Sequence, residues 1–307
     1  MKISVVLSTY NGELYIIEQL NSIMYQNKKA DEVLIFDDCS TDETVHIIEK
    51  YIEKNNLSQW KLFVNDKNKG WKRNFMEGIW NASGDLIFPC DQDDIWKPQK
   101  LECMVKIMEE NPQIMVLTSN YEAFYDSGKR VCGPERDDGE LIKQPLSNNV
   151  FNIRYPGCTY CIRQTFVEIS KKYWQEDFPH DALFWRMGMF SDSLYSYRGS
   201  LIQWRKHNDS TFTIESAESK TVDKKRQWLE YGLRVIDSLD DFVKNYSDVC
   251  EIEKEKILIS TKRWLEKRIE FYNTRSIIDW IKILKYLSYY DRFRQYIGDL
   301  YLVKIKK

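Results

Sequence analysis

Three short apolar runs fall within the first hundred residues, at 3–7 (ISVVL), 33–36 (VLIF) and 85–89 (DLIFP). Their apolarity is continuous rather than alternating, as in a strand covered on both faces. Residues 61–64 offer a further short strand. Between the runs lie stretches with helical spacing: 14–24, with Leu14, Ile17, Leu20 and Met24; about 42–55; and 73–80. Strand–helix alternation of this kind predicts a mostly parallel sheet with helices on both faces. Ser40 and Glu43 read as a capping box for the second helix.

Each apolar run ends in polar residues. Ser8, Thr9, Tyr10 and Asn11 follow the first, Asp37 and Asp38 the second, and Asp91, Gln92, Asp93 and Asp94 the last. In a parallel sheet these positions share the carboxyl edge, where open α/β sheets bind ligands. Chain order alone therefore gathers three polar clusters at one crevice. Three carboxylates in four residues repel one another unless a cation neutralises them. Oxygen donors suit Mg²⁺ or Mn²⁺, which keep waters and accept phosphate oxygens. A solvated acidic loop is the plainer alternative. Asp38 could accept hydrogen bonds from a ribose or base, since Ser40 is expected to cap the next helix. Tyr10 could stack on a base. Lys69, Lys72 and Arg73 could meet a pyrophosphate or lie on a solvated helix face. Asp181, after His180, is a candidate general base, with helix initiation as its rival.

The rest of the chain is less regular from 115 to 215. Residues 126–144 are polar and read as an excursion, and 157–162 return to a strand pattern. From 219 onward the pattern is helical. The 307 residues carry a net charge of −2, so no global basic field points to nucleic acid. From 254 to 307, 14 Lys and Arg face 6 Asp and Glu, a net of +8, leaving about −10 for the rest. In that tail Trp264, Phe271, Trp280, Leu284 and other apolar residues interleave with the basic ones. They can lie on an anionic membrane surface or pack back on the catalytic domain. No run is long enough to span a bilayer. Seven cysteines and a start directly into a strand fit a reducing cytoplasm. Cys158 and Cys161 form a C-x-x-C without the second pair of a zinc site. No P-loop, G-x-G-x-x-G or G-x-S-x-G is present.

These residues resemble those of family 2 glycosyltransferases with the GT-A nucleotide-sugar fold. The matching strings are SVVLSTYNG (4–12), FDDCSTDET (36–44), NKG (68–70), RNF (73–75), ASGD (82–85) and DQDDIW (91–96). GC (157–158), HD (180–181) and RKH (205–207) match later landmarks more weakly. DQDDIW and the His-Asp pair are most like bacterial rhamnosyltransferases of surface polysaccharide synthesis. The resemblance implies that Ser8, Tyr10 and Asp38 hold the nucleoside. Asp91 and Asp93 would form the D-x-D motif, with Asp93 the direct metal ligand. Lys69, Arg73 and Arg205 would reach the diphosphate, His207 the metal, and Asp181 would activate the acceptor. Cys39 stands where relatives often carry Gly, which alters a turn.

The expected architecture is an α/β GT-A domain over 1–218 with a helical C-terminal extension over 219–307. The GT-A domain comprises a nucleotide-binding half (1–100) and an acceptor half (101–218). The expected activity is inverting, metal-dependent transfer, of L-rhamnose for example, from a dTDP- or UDP-linked donor to a glycan or lipid-linked glycan. Mg²⁺ or Mn²⁺ is the expected cofactor, and the cytoplasmic face of the membrane the expected location. A non-catalytic sugar-binding module and a nucleotidyltransferase are the alternatives.

Overall fold

A computed structural model describes residues 1–125, 127–207, 221–246, 252–290 and 292–304. The chain forms two compact units, one of residues 1–144 and 154–206, the other of residues 145–153 and 207–307. The expected boundary at 218/219 lies outside the described residues.

The first unit is built on one sheet. β1 (Ile3–Thr9) runs fully buried down its middle, flanked by β2 (Glu32–Asp37) and β4 (Leu86–Asp91), with β3 (Trp60–Val64) beyond β2. All four are parallel. α1 (Ile16–Met24), α2 (Thr44–Lys54) and α3 (Trp71–Asn81) connect them. β5 (Ile95–Trp96) and α4 (Lys100–Glu110) follow, then β6 (Val116–Tyr125), β7 (Arg130–Cys132) and β8 (Leu141–Lys143). β9 (Tyr160–Arg163), α5 (Gln164–Ser170), α6 (His180–Phe190) and β10 (Leu194–Lys206) complete the unit.

The sheet order is β3-β2-β1-β4-β9-β6-β10-β5, with β7 beside β6 and β8 beside β10. β9 is antiparallel to β4 and β6, and β10 is parallel to β6. This is a mixed α/β architecture, as the resemblance to the GT-A fold predicts. Residues 126–144, expected as an excursion, contribute β7 and β8, because their strand segments find free sheet neighbours in β6 and β10.

Two further local expectations are corrected. The β4 strand does not stop at Pro89 but continues through Asp91, held by pairing with β1. The Ser40–Glu43 capping box does not form. Ser40 Oγ instead donates to Asp37 Oδ2 (2.6 Å) and accepts from the Asn11 N–H (2.8 Å), so it ties β1 to β2. Asp42 Oδ1 takes over at the helix start by accepting from the Thr44 N–H at 3.0 Å.

The second unit holds α7 (Val222–Tyr246), α8 (Ile252–Thr274), α9 (Ile277–Lys282), a 3₁₀ segment (Ile283–Tyr289) and α10 (Phe293–Lys304). α7 and α8 pack closely at Gly232, where an added Cβ would sit 3.1 Å from Leu265. An aromatic cluster of Phe151, Trp228, Trp264 and Tyr290 lies within this unit. Among the described residues no helix is long and apolar enough to cross a membrane.

Candidate active site

The parallel register brings the polar strand ends side by side. Ser8 of β1 is paired with Asp91 of β4 and with Phe36 of β2, and Thr9 with Asp37. The Asp38 N–H donates to the Thr9 carbonyl (2.8 Å), keeping the two chains together past the strand ends. Polar loops that are 30 to 90 residues apart in sequence thus meet at one edge.

Asp38 is buried. Its Oδ1 accepts from Asn65 Nδ2 (3.0 Å) and the Lys69 N–H (2.8 Å), and its Oδ2 from the Gly70 N–H (2.8 Å). A carboxylate has about four acceptor positions, so one remains. Asn74 of α3 extends this network: its Nδ2 donates to Ser8 Oγ (2.8 Å) and to the Phe36 carbonyl (2.7 Å), and its Oδ1 accepts from Asn65. Tyr10 is exposed, and its backbone is clamped by Gln92. The Tyr10 N–H donates to Gln92 Oε1 (2.8 Å) and Gln92 Nε2 returns to the Tyr10 carbonyl (2.9 Å). Gly12 permits this clamp, because a Cβ there would lie 2.3 Å from Gln92 Oε1. Cys39 adopts φ +66°, the left-handed conformation that glycine enters most readily.

The acidic cluster is the centre of the site. Asp91 is half-buried. Burial, then the charges of Asp93 and Asp181, push its carboxyl up to about 7. Asp94 is fully buried, and burial together with Asp93 and Asp91 holds it well above the ordinary carboxylate range. Asp94 Oδ1 accepts from the Arg205 N–H at 3.0 Å, while its Oδ2 is buried without an N–H or O–H donor. An orphaned anionic oxygen facing further carboxylates is costly unless a cation arrives. The residues present therefore fit a divalent ion. Asp91, Asp94 and Cys158 each offer a ligand atom, all within 4.8 Å of one another.

Arg205 works as a strut. Its Nε donates to the Asp93 carbonyl (2.8 Å), its guanidinium pairs with Glu18, and it lies over the rings of Tyr15 and Phe124 at 4.7 and 4.5 Å. Next to it, burial pulls the Lys206 ammonium down to about 8 against the opposing pull of Asp94, Asp93 and Asp91. Asp181 lies in the first turn of α6, where its Oδ1 accepts from the Ala182 N–H (2.7 Å). Its effect on Asp91 brings it to the same cluster. His180 beside it is buried, with both ring nitrogens lacking a hydrogen-bond partner.

Lys69 and Arg73 are both engaged by Glu77, at 2.6 and 2.9 Å, and Arg73 also pairs with Glu176. His207 follows β10 directly and belongs to the second unit. Asn65, Asn74, Glu77 and Lys206 were not singled out individually by sequence; Asp94 and Gln92 were read as members of the acidic cluster, and Cys158 as half of the C-x-x-C. Asn74 and Gln92 stood inside quoted strings, but nothing in a string reveals which side chain bridges two loops.

A family model described as glycosyl transferase family 2 matches residues 4–174, more than half of the chain. The chain belongs to glycosyl transferase family 2. It is 26% identical over 294 residues to an uncharacterized glycosyltransferase of Haemophilus influenzae, covering 91% of this chain and 90% of that protein. It is 32% identical over 174 residues to a dTDP-rhamnosyl transferase of Shigella flexneri, covering 54% and 56%. A crystal structure of Staphylococcus aureus TarS in complex with UDP-GlcNAc superimposes with a TM-score of 0.66 at 21% identity, covering 98% of this chain and 82% of that one. As a family 2 member, the chain is a glycosyltransferase.

Proposed function

We propose that this enzyme transfers a sugar, L-rhamnose from dTDP-rhamnose in the first instance, to a glycan or lipid-linked glycan acceptor, with inversion at the anomeric carbon. The observation that carries the reading is the buried, unpartnered Asp94 oxygen among Asp91 and Asp93, one strand pairing away from Ser8. The Shigella relative supports rhamnose.

In this reading Ser8, Tyr10 and the remaining acceptor position of Asp38 hold the nucleoside. Asp91, Asp93 and Asp94 hold Mg²⁺ or Mn²⁺. When bound, the ion stabilises the negative charge that develops on the departing diphosphate. Arg205 fixes the acidic loop, and Lys69 and Arg73 exchange Glu77 for diphosphate oxygens. Asp181 accepts the proton of the acceptor hydroxyl as its oxygen bonds to the anomeric carbon. The bond from that carbon to the diphosphate breaks, and the nucleoside diphosphate leaves.

A panel of nucleotide sugars, scored for release of nucleoside diphosphate with and without divalent metal, tests this. Metal-dependent release from dTDP-rhamnose above the other donors is expected. Asp181→Asn should lower turnover roughly 10²- to 10⁴-fold with nucleotide binding retained. A higher rate with another donor would remove rhamnose, and turnover surviving Asp181→Asn would remove the base.

The second unit supports a location on the inner face of the membrane. Ile277, Ile278, Ile281 and Leu284 are exposed beside Lys282 and Lys285. Such a face suits an anionic bilayer. Co-sedimentation with vesicles containing anionic lipid, but not with neutral ones, is expected. Equal recovery with both would count against it.

A further inference from the structure

The C-x-x-C had no partner pair in sequence, yet its first cysteine lies in the acidic cluster. Cys158 sits in the short turn Gly157–Thr159 that enters β9, and it is 1% exposed. The turn is held from two sides. Lys100, itself buried, donates from Nζ to the Cys158 carbonyl at 3.2 Å. Gly157 is pressed against His180, where an added Cβ would meet Nε2 at 2.2 Å. The sulfur therefore has little room to withdraw from the carboxylates.

We infer that Cys158 is a direct ligand of the cation held by Asp91 and Asp94, and that it sets which metal this enzyme prefers. This rests on the proposal that the acidic cluster holds a divalent ion. Two independent features support it. The ligand atoms of the three residues all lie within 4.8 Å of one another. Three ligands of one small ion, each bound at roughly 2.0–2.3 Å, lie about 3–4 Å apart, so atoms already within 4.8 Å of one another need only draw inward to share an ion. The second feature is the buried, unpartnered oxygen of Asp94.

The consequence is selectivity. Mg²⁺ takes oxygen donors and leaves a thiol protonated. Ions with more affinity for sulfur, Mn²⁺ weakly and Co²⁺ or Cd²⁺ strongly, recruit the thiolate, and the thiol proton passes to solvent.

The test uses the full chain, wild type and Cys158→Ser, with Co²⁺, Cd²⁺ and Mg²⁺ as probes. Wild type should show a thiolate-to-metal charge-transfer band with Co²⁺ or Cd²⁺ that Cys158→Ser lacks. The other cysteines remain in both proteins, so the difference belongs to Cys158. Affinity for Cd²⁺ should fall roughly ten- to a hundredfold in the variant, and by more than its affinity for Mg²⁺. Asp94→Asn, which retains the cysteine, should also weaken the band, and it serves if Cys158→Ser does not fold. The same band and the same Cd²⁺-to-Mg²⁺ affinity ratio in wild type and Cys158→Ser would overturn the inference while leaving the transferase reading intact. Absence of any metal or nucleotide binding in wild type would overturn both.

Discussion

Each unit buries a cluster of charge, and the two clusters are built on opposite terms. In the second unit Arg268 and Asp299 are 1% exposed. Arg268 Nε and Nη2 donate to the two Asp299 oxygens at 2.9 Å each, and the hydroxyls of Tyr272 and Tyr290 donate to the same oxygens at 2.8 Å. The guanidinium lies over Trp264 and Tyr290, 4.7 Å from each. Burial raises the Asp299 carboxyl, but Arg268 outweighs it and holds it below its usual range. In the first unit Asp91 and Asp94 face other carboxylates, and the Asp94 Oδ2 atom has no N–H or O–H donor. A compensated buried charge is a structural element. An uncompensated one is held at a cost and marks a candidate binding site.

The sharpest break of this contrast is to remove one partner from each. Arg268→Met should destabilise the protein by about 3–5 kcal/mol, because it strands a buried carboxylate. Urea unfolding measures it, and a loss under 1 kcal/mol would mean the pair is dispensable. Asp94→Asn should do the reverse in metal-free protein, raising stability by about 1 kcal/mol through lost repulsion. It should also abolish the stabilisation that Mn²⁺ confers. Equal metal-induced shifts in melting temperature for variant and wild type would erase the distinction.

pH sharpens it further. The Asp91 carboxyl, raised to about 7, keeps a proton that the unfolded chain loses near 4. Its effect therefore lowers stability as pH rises from about 4 to about 7. Asp299, depressed, contributes stability above the ordinary carboxylate pKa and loses it only as pH falls through its own lower value. Thermal melts in chelator at pH 5 and 8 should show less stability at 8, and added Mn²⁺ should narrow the gap. Asp94→Asn should flatten the difference. The smallest effect belongs to the exposed pair of Lys262 and Asp237 at 2.7 Å. Lys262→Ala should cost about 0.5 kcal/mol or less, and a larger value would show that surface charge matters here as much as buried charge.

Much of the first hundred residues was legible in sequence because the signals there are local. Apolar runs 3–7 and 33–36 are strands for reasons contained in their own residues, and parallel topology then forces their ends to one edge. Ser40 shows the limit of such reasoning. Its capping pattern was correct in spacing, but a neighbouring strand offered Asp37 and the Asn11 N–H, and those contacts took the side chain. Cys158 was discounted for want of a second cysteine pair, since spacing cannot register carboxylates that arrive from β4.

By itself, then, the order of residues determined that a parallel sheet would form and that acidic loops would cluster at its carboxyl edge. It also determined family membership, through strings whose chemistry lies within a few residues. Tertiary structure alone decided that Asp94 is buried with an open oxygen, that Cys158 joins it, and that Arg268 meets Asp299 across 31 residues. The physical reason is that burial and charge compensation depend on which surfaces pack together, and sequence spacing does not record such encounters.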